Sequence, residues 1–359
     1  MRVSAGARRP SANGGNIHVH THIARTSVIP PSAASSAPSI PPAPLEIRDA
    51  VFRELIRISP ASNYHSELVS GPGGLLSRGL LARQIFHYGA LPRTQTERAE
   101  LAAALRSFVL CNFSEYATLY SGAGVVGVPG FWQESSGMVQ IWKPRTYNMP
   151  ILVIPYQDAE GFIQACQLRL HSKDIPKDGK RYRWLASPQE RYGTSSGTPI
   201  HFTFRPKRFR AGGSVLFTEG RLKADAFVRF KPNARVIATT GASCSHSEMI
   251  IGGRPYNALI GFDSDHRTNP AVCRQLARLI AHRSQDSLQH PLKTTTRIVI
   301  WGGPGGPAST PKGIDEAVQM NLRLTAISIS KWFGTLTDKP LDDVRQYWSE
   351  IGFDPADAK

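Results

Sequence analysis

Three carboxylates stand where their types and spacing could do chemistry. Glu219 ends the apolar run Val215-Leu-Phe-Thr218 and is followed at once by Gly220, while Asp263 and Asp265 end a second run, Asn257-Ala-Leu-Ile-Gly-Phe262. The i, i+2 spacing sets Asp263 and Asp265 on one side of an extended backbone. Without a counter-ion such neighbours repel, and one pKa is driven up. A hard divalent cation removes that penalty, and magnesium accepts a site built of a few carboxylates, water and phosphate oxygens. Asp-x-Asp alone is common in surface turns, so the discriminating feature is Glu-Gly after one strand with Asp-x-Asp after a later one. On repulsion alone, removing one of these carboxylates is expected to spare the fold and to stabilise the metal-free protein slightly.

The elements that must position these residues are legible on either side. After Gly220 a helix is predicted from Arg221, with Leu222, Ala226, Phe227 and Phe230 as its inward stripe. Arg235-Val-Ile-Ala238 reads as the next strand and Thr239 to Ser247 as a polar loop. Asn269 can cap a helix that has Pro270 in its first turn and Val272, Leu276, Leu279 and Ile280 on its buried face. Arg297-Ile-Val-Ile-Trp301 is a further strand. Strand alternating with helix at this spacing predicts a parallel, doubly wound sheet, whose ligands gather at the carboxyl ends of the strands.

Upstream, Ile47, Val51, Leu55 and Ile58 recur at helical spacing, and a second helical pattern runs from Thr96 to Leu110. Ile151-Leu-Val-Ile-Pro155, the turn Gln157 to Gly161 and the stretch Phe162 to Leu170 predict a hairpin. A basic segment follows, in which Arg169, Lys180, Arg181 and Arg183 lie among Tyr182 and Trp184, with Arg205, Lys207, Arg208 and Arg210 a little later. Basic residues interleaved with aromatics can neutralise phosphates and stack bases. Two glycine clusters do not carry that kind of chemistry. Gly122 to Gly127 matches Gly-x-Gly-x-x-Gly but runs into Pro129 rather than a helix, and Trp301 to Gly306 lacks the Lys placement of a phosphate-binding loop.

Composition narrows the function classes. The 359 residues allow two folded units and a tail, and 43 Lys and Arg against 27 Asp and Glu give a net charge of +16, which favours a polyanionic partner. No apolar run is long enough to span a bilayer, so no membrane role is expected. Cys111, Cys166, Cys244 and Cys273 are scattered singly, which predicts neither a disulfide framework nor a zinc ribbon and suits a reduced cytoplasmic setting. Before Glu46 there is no acidic residue and proline is frequent, so residues 1–44 read as a disordered tail. An organelle transit peptide or an early start codon is the alternative. His18, His20 and His22 in that tail alternate and could hold a transition metal weakly.

Leu216-Phe-Thr-Glu-Gly220 with Gly261-Phe-Asp-Ser-Asp265 downstream resembles the toprim domain shared by bacterial replicative primases, topoisomerases and some nucleases. The resemblance implies that Glu219, Asp263 and Asp265 form the catalytic metal site, with magnesium, or manganese in its place, as cofactor. Lys312-Gly-Ile-Asp-Glu316 resembles the family's later acidic motif and makes Asp315 an outer ligand. The chain departs from the pattern at one position. Replicative primases usually carry an Asp four residues beyond the Glu, whereas Lys223 stands there and Asp225 follows two residues later. Either Asp225 substitutes, or the site has one ligand fewer and Lys223 brings positive charge.

The likeness continues upstream, where Ile154 to Gly161, Gln167-Leu-Arg169 and Lys180 to Pro188 look like the basic subdomain that guides template and nucleotides in replicative primases. Through Pro129-Gly-Phe-Trp132 and Glu219-Gly-Arg-Leu-Lys-Ala-Asp225 the chain is more similar still to primase-like proteins of plasmids and other mobile elements. The implied fold is α/β, a toprim-type parallel sheet flanked by helices and preceded by a mixed α+β basic subdomain. The expected divisions are a tail at 1–44, a helical region at 45–120, the basic subdomain at 121–211, toprim at 212–325 and a helical extension at 326–359. The implied function is a magnesium-dependent primase-like nucleotidyltransferase using ribonucleoside triphosphates on single-stranded DNA, with a replicative helicase as a partner. A toprim nuclease and a non-catalytic single-strand-binding accessory protein are the alternatives.

The tail makes a direct test possible. Since residues 1–44 cannot bury enough apolar surface to offset their ordering entropy, a protein beginning at Leu45 is expected to keep one cooperative thermal transition, and losing it would refute this.

Overall fold

The computed structural model describes residues 40–80, 82–117, 124–208, 210–302 and 311–355, and the backbone alone of 8–10 and 16–18. Arg8–Pro10 (β1) pairs antiparallel with Asn16–His18 (β2). Thus His18 closes a strand, while His20 and His22 lie outside the described residues. The chain divides into two units, one of 1–68, 86–155 and 163–197 and another of 69–85, 156–162 and 198–359.

The first unit is the mixed α+β part. Helix α1 (Leu45–Ile58) buries Ile47, Val51 and Leu55 of the stripe its periodicity predicts, with Ile58 half-buried against the same core. It is pinned by a polar contact too, since Asp49 Oδ1 accepts the backbone N–H of Ile163 at 2.7 Å. The short α2 (Ala82–Ile85) belongs to the second unit, and β3 (Gly89–Leu91) returns to the first. Thr94 and Glu97 cap the start of α3 (Gln95–Asn112) reciprocally, which satisfies two backbone donors the helix cannot use itself. After α4 (Ser114–Ala117), strands β4 (Phe131–Gln133) and β5 (Val139–Ile141) form a two-stranded ribbon. Strands β6 (Ile151–Gln157), β7 (Ile163–Arg169) and β8 (Tyr182–Trp184) join β3 in a sheet of order β3-β6-β7-β8. The predicted hairpin is β6 and β7.

The second unit holds a six-stranded sheet. It contains β9 (His201–Phe202), β10 (Ser214–Glu219), β11 (Val236–Thr239), β12 (Asn257–Ile260), β13 (Thr296–Ile300) and β14 (Thr325–Ile327), in the order β14-β13-β12-β10-β11-β9. The four central strands are parallel and the two edges antiparallel. Between them run α5 (Arg221–Phe230), α6 (His246–Gly253), α7 (Pro270–Gln289) and α8 (Ile314–Gln319), with α9 (Ile329–Phe333) and α10 (Asp338–Glu350) after the last strand.

Side-chain alternation on β10 sends Val215 and Phe217 into one core, with residues of α6, α7, α9 and α10, and Leu216 into another, with α5 and α8. The sheet is therefore covered on both faces, as a parallel sheet must be. Asn269 caps α7 by accepting the N–H of Ala271 at 3.1 Å. Trp348 of α10 donates its indole N–H to Ala277 O of α7 at 3.1 Å, so the C-terminal helix is part of this layer.

Two features differ from the sequence reading. The sheet reaches back to His201–Phe202, ahead of Gly212, because the edge strand is only two residues long and gives no alternation to read. The polar loop after β11 stops at Ser245, where α6 begins. Its glycines and serines mask a helix that buries Met249 and Ile250. Among the described residues no helix is long and apolar enough to cross a membrane.

His201 makes the second unit acid-sensitive. Burial, helped by the Arg221 charge and opposed by Asp225, pulls its pKa from 6.5 down to about 4. The unfolded chain therefore takes up this proton first as pH falls below about 6.5, and stability present at neutral pH is lost toward pH 4. Lowering the pH from 7 to 5 is expected to cost about 2 kcal/mol through this group. In denaturant unfolding, His201→Gln should lack that part of the acid loss, and equal losses in both proteins would remove His201 as its source.

Candidate functional site

The crossovers of the sheet create a switch point. From β10 the chain passes through α5 to β11 on one side, then through α6 to β12 on the other side of β10. A crevice opens outside the carboxyl ends of strands where the winding reverses in this way. Glu219 is the last residue of β10 and Asp263 comes three residues after the end of adjacent, parallel β12. Thr218 donates its hydroxyl to Gly261 O at 3.1 Å, and the backbone N–H of Asp263 points at Glu219 Oε1 at 3.4 Å. Between β10 and α5, Gly220 takes φ +83°, a conformation L side chains adopt only with strain.

The predicted extended path through Asp263 and Asp265 is corrected here. Beyond Phe262 the chain closes into a 3₁₀ turn, Ser264–Arg267, with the N–H of His266 on Asp263 O at 3.1 Å. The turn forms because the chain has left the sheet and its backbone groups need local partners. The two side chains still meet at one cation. Lys312 Nζ lies 2.7 Å from Asp265 Oδ2 and 3.9 Å from Asp263 Oδ2.

A second lysine enters from α5. Lys223, in the first turn of α5, forms an ion pair with Asp263 Oδ1. Asp225 is engaged elsewhere, its Oδ2 accepting Arg221 Nε at 3.0 Å and its Oδ1 facing His201 Nε2 at 3.5 Å. The two positions are about 200° apart around the helix, so both cannot face the carboxylates. Asp315 is the second residue of α8 and is buried near Lys223, which acts on its charge. Burial pushes the carboxyls of Glu219 and Asp315 above the usual range, against the pull of Lys223. For Lys223 burial opposes the ammonium, but Asp263, Glu219 and Asp315 together outweigh it and raise its pKa.

The cluster is therefore four carboxylates held by two lysines. Among the described residues no group of three or more His, Cys, Asp or Glu side chains is gathered as a metal cage, and the lysines stand on the carboxylate oxygens of Asp263 and Asp265. The donor chemistry nonetheless fits a hard cation. Asp265 Oδ1 is buried without a hydrogen-bond partner, a state that costs free energy unless a donor or cation fills it. Lys312 was the participant the sequence reading missed. Its signal was its place three residues ahead of Asp315.

The predicted basic segment is divided between the units. In the first, Arg169 ends β7 and pairs in register with Tyr182 of β8, between Arg181 and Arg183. Arg183 is held by Asp178 through two bonds of 2.7 and 2.6 Å, Lys180 lies 3.9 Å from the same carboxylate, and Arg181 is exposed. Arg183 also lines a cavity of about 200 Å³ with Trp142, Lys143 and Trp184. In the second unit Arg205, Lys207, Arg208 and Arg210 are exposed, and Lys207 pairs with Glu160 at 2.9 Å.

No family model matches the chain, and no curated protein sequence matches it. Solved structures do. The DnaG catalytic core aligns at 12% identity over 86% of this chain and 99% of its own, with a TM-score of 0.50. The DnaG primase catalytic domain bound to ssDNA aligns at 14% over 87% and 93%, with a TM-score of 0.49. The E. coli primase catalytic core aligns at 12% over 86% and 97%, with a TM-score of 0.48. The chain thus has a mixed α/β fold like that of the DnaG catalytic core, with the mostly parallel sheet preceded by the antiparallel α+β part.

The Lys223 ion pair reverses the sign expected for loss of Asp263. Asp263→Asn strips a largely buried ammonium of its nearest counter-ion, so the metal-free protein should lose about 3 kcal/mol, the low end for a broken buried pair. Denaturant unfolding in EDTA measures this, and an unchanged or raised stability would restore the picture of simple mutual repulsion.

Proposed function

We propose that the chain is a magnesium-dependent, primase-type nucleotidyltransferase that joins ribonucleoside triphosphates on single-stranded DNA during replication of a plasmid or other mobile element. The observation that carries this reading is the meeting of Glu219, Asp263 and Asp265 at the switch point of a sheet in a DnaG-core fold. Asp263 and Asp265, with Glu219 beside them and Asp315 as the outer member, would hold magnesium or manganese. When bound, the ion supplies charge stabilisation to a transferring phosphoryl group.

The chain's own groups position and neutralise. Glu219 is tied to the backbone of Asp263, which keeps carboxylates from two strands in register. Lys312, whose side chain is 62% exposed, can turn from Asp265 toward an incoming triphosphate. Arg169, Lys180, Arg181, Arg183, Arg205, Lys207, Arg208 and Arg210 supply positive charge for the phosphates of template and nucleotide. A 3′-hydroxyl attacks the α-phosphorus of the incoming triphosphate in line, the bond from that phosphorus to the β-phosphate oxygen breaks and pyrophosphate leaves, so no side-chain nucleophile is required. A cytoplasmic location and a replicative helicase as partner belong to the same proposal.

Labelled ribonucleotides are expected to be incorporated on a single-stranded template only with magnesium, and Asp265→Asn should lower turnover by about 100-fold or more. Magnesium-dependent shortening of DNA without nucleotides would instead identify a nuclease, and binding without either reaction an accessory protein.

A further inference from the structure

We infer that Lys223 is a resident cation of the acidic cluster, its ammonium group standing where a second divalent ion would otherwise sit, so that the cluster takes a single ion. This rests on the magnesium-dependent reading above and specifies the composition of its site.

Location is the first ground. Lys223 touches Asp263 and lies within the electrostatic reach of Glu219 and Asp315, carboxylates from the ends of β10 and β12 and the start of α8. A point flanked by three carboxylates is where a bound cation would be drawn. The ion pair with Asp263 and the burial of both side chains, 20% and 16% exposed, keep the ammonium group inside the cluster.

Permanence is the second ground, and it separates the two lysines. The Lys223 side chain is 20% exposed, whereas that of Lys312 is 62% exposed. Lys312 can exchange with solvent, an ion or a phosphate. Lys223 is held by its helix, whose first turn is fixed by the N–H of Arg221 on Tyr156 Oη at 3.4 Å and that of Ala224 on Gly220 O at 3.3 Å. Its stem also lies against Gly313, where a Cβ would stand 3.4 Å from Lys223 Cε and collide with Asp315. The glycine leaves room for the lysine and its counter-ion to lie side by side.

The third ground is the oxygen and charge count. Lys223 takes Asp263 Oδ1, whereas Asp265 Oδ1 is buried with no hydrogen-bond partner among the described residues. That buried oxygen is a position an ion can take, and Lys223 does not occupy it. Formally, the four carboxylates Glu219, Asp263, Asp265 and Asp315 face two ammonium groups, an imbalance of two negative charges that one divalent cation cancels.

The test counts bound Mn²⁺ on the full chain by electron paramagnetic resonance during titration, with thermal unfolding in EDTA and in Mn²⁺ alongside. Wild type and Lys223→Arg are expected to bind one ion. Lys223→Asp should bind two, with a lowered Tm in EDTA that Mn²⁺ largely restores. Should that variant not fold in EDTA, Lys223→Gln replaces it, and Mn²⁺ should raise its Tm by more than it raises that of wild type. Two ions on wild type would overturn the inference and leave the magnesium-dependent reading standing. So would a single ion on a folded Lys223→Asp protein, or an equal Mn²⁺ effect on Lys223→Gln. No ion on wild type would overturn both.

Discussion

Keeping four carboxylates together at the mouth of one sheet is the constraint on which this molecule turns. At about 4 Å and an effective dielectric near 20, two like charges repel by about 4 kcal/mol. Glu219, Asp263, Asp265 and Asp315 cannot be gathered on such terms without counter-charge. The chain supplies it from two directions, with Lys223 from the first turn of α5 and Lys312 from the segment leading into α8. Lys223 also sets the electrostatic character of the site, since burial alone would move the carboxyls of Glu219 and Asp315 still further from ionisation than they are.

The sheet around the cluster explains why the carboxylates meet at all. Parallel pairing of β10 with both β11 and β12 places the ends of β10 and β12 side by side, and the reversal of winding keeps any helix from covering that point. The two packed faces give the arrangement its rigidity. Phe217 and Leu216, neighbours in sequence, are committed to opposite cores, so a shift of β10 by one residue would exchange the buried side chains of both faces. The position of Glu219 is thereby fixed by packing some residues away from it. Toward the β9 edge, Asp225 pairs with Arg221 and faces the buried His201, which holds the other face of α5 while Lys223 points into the cluster.

A fold like that of the DnaG catalytic core at 12% identity shows how little of such an architecture depends on particular side chains. Alternation of apolar strands and amphipathic helices specifies the layers, and many sequences satisfy it. What a site does with that frame depends on a few charged residues at the strand ends. Lys223 is such a residue here, in a position that the sequence resemblance assigns to a carboxylate.

The amino-acid sequence by itself determined the helices with periodic apolar faces and sharp ends. The stripe of α1, the helix opened by Asn269-Pro270 and the strands that precede Glu219 and Asp263 were all legible because burial and capping act over a few neighbouring residues. The doubly wound sheet followed from their alternation. The tertiary structure alone decided what depends on partners far apart in the chain. The two-residue edge strand β9 exists only because β11 lies beside it, and α6 is hidden in a polar stretch until Met249 and Ile250 find the sheet. Sequence reading left Lys223 and Asp225 as equal alternatives. Only the helix phase distinguishes them, since it turns Lys223 toward an aspartate 40 residues away and Asp225 toward Arg221 and His201. Lys312 stands in the motif that contains Asp315, but its pairing with Asp265 is decided only when folding brings that carboxylate to it. Charge compensation is a long-range interaction, and no local pattern in a sequence records which opposite charge will close it.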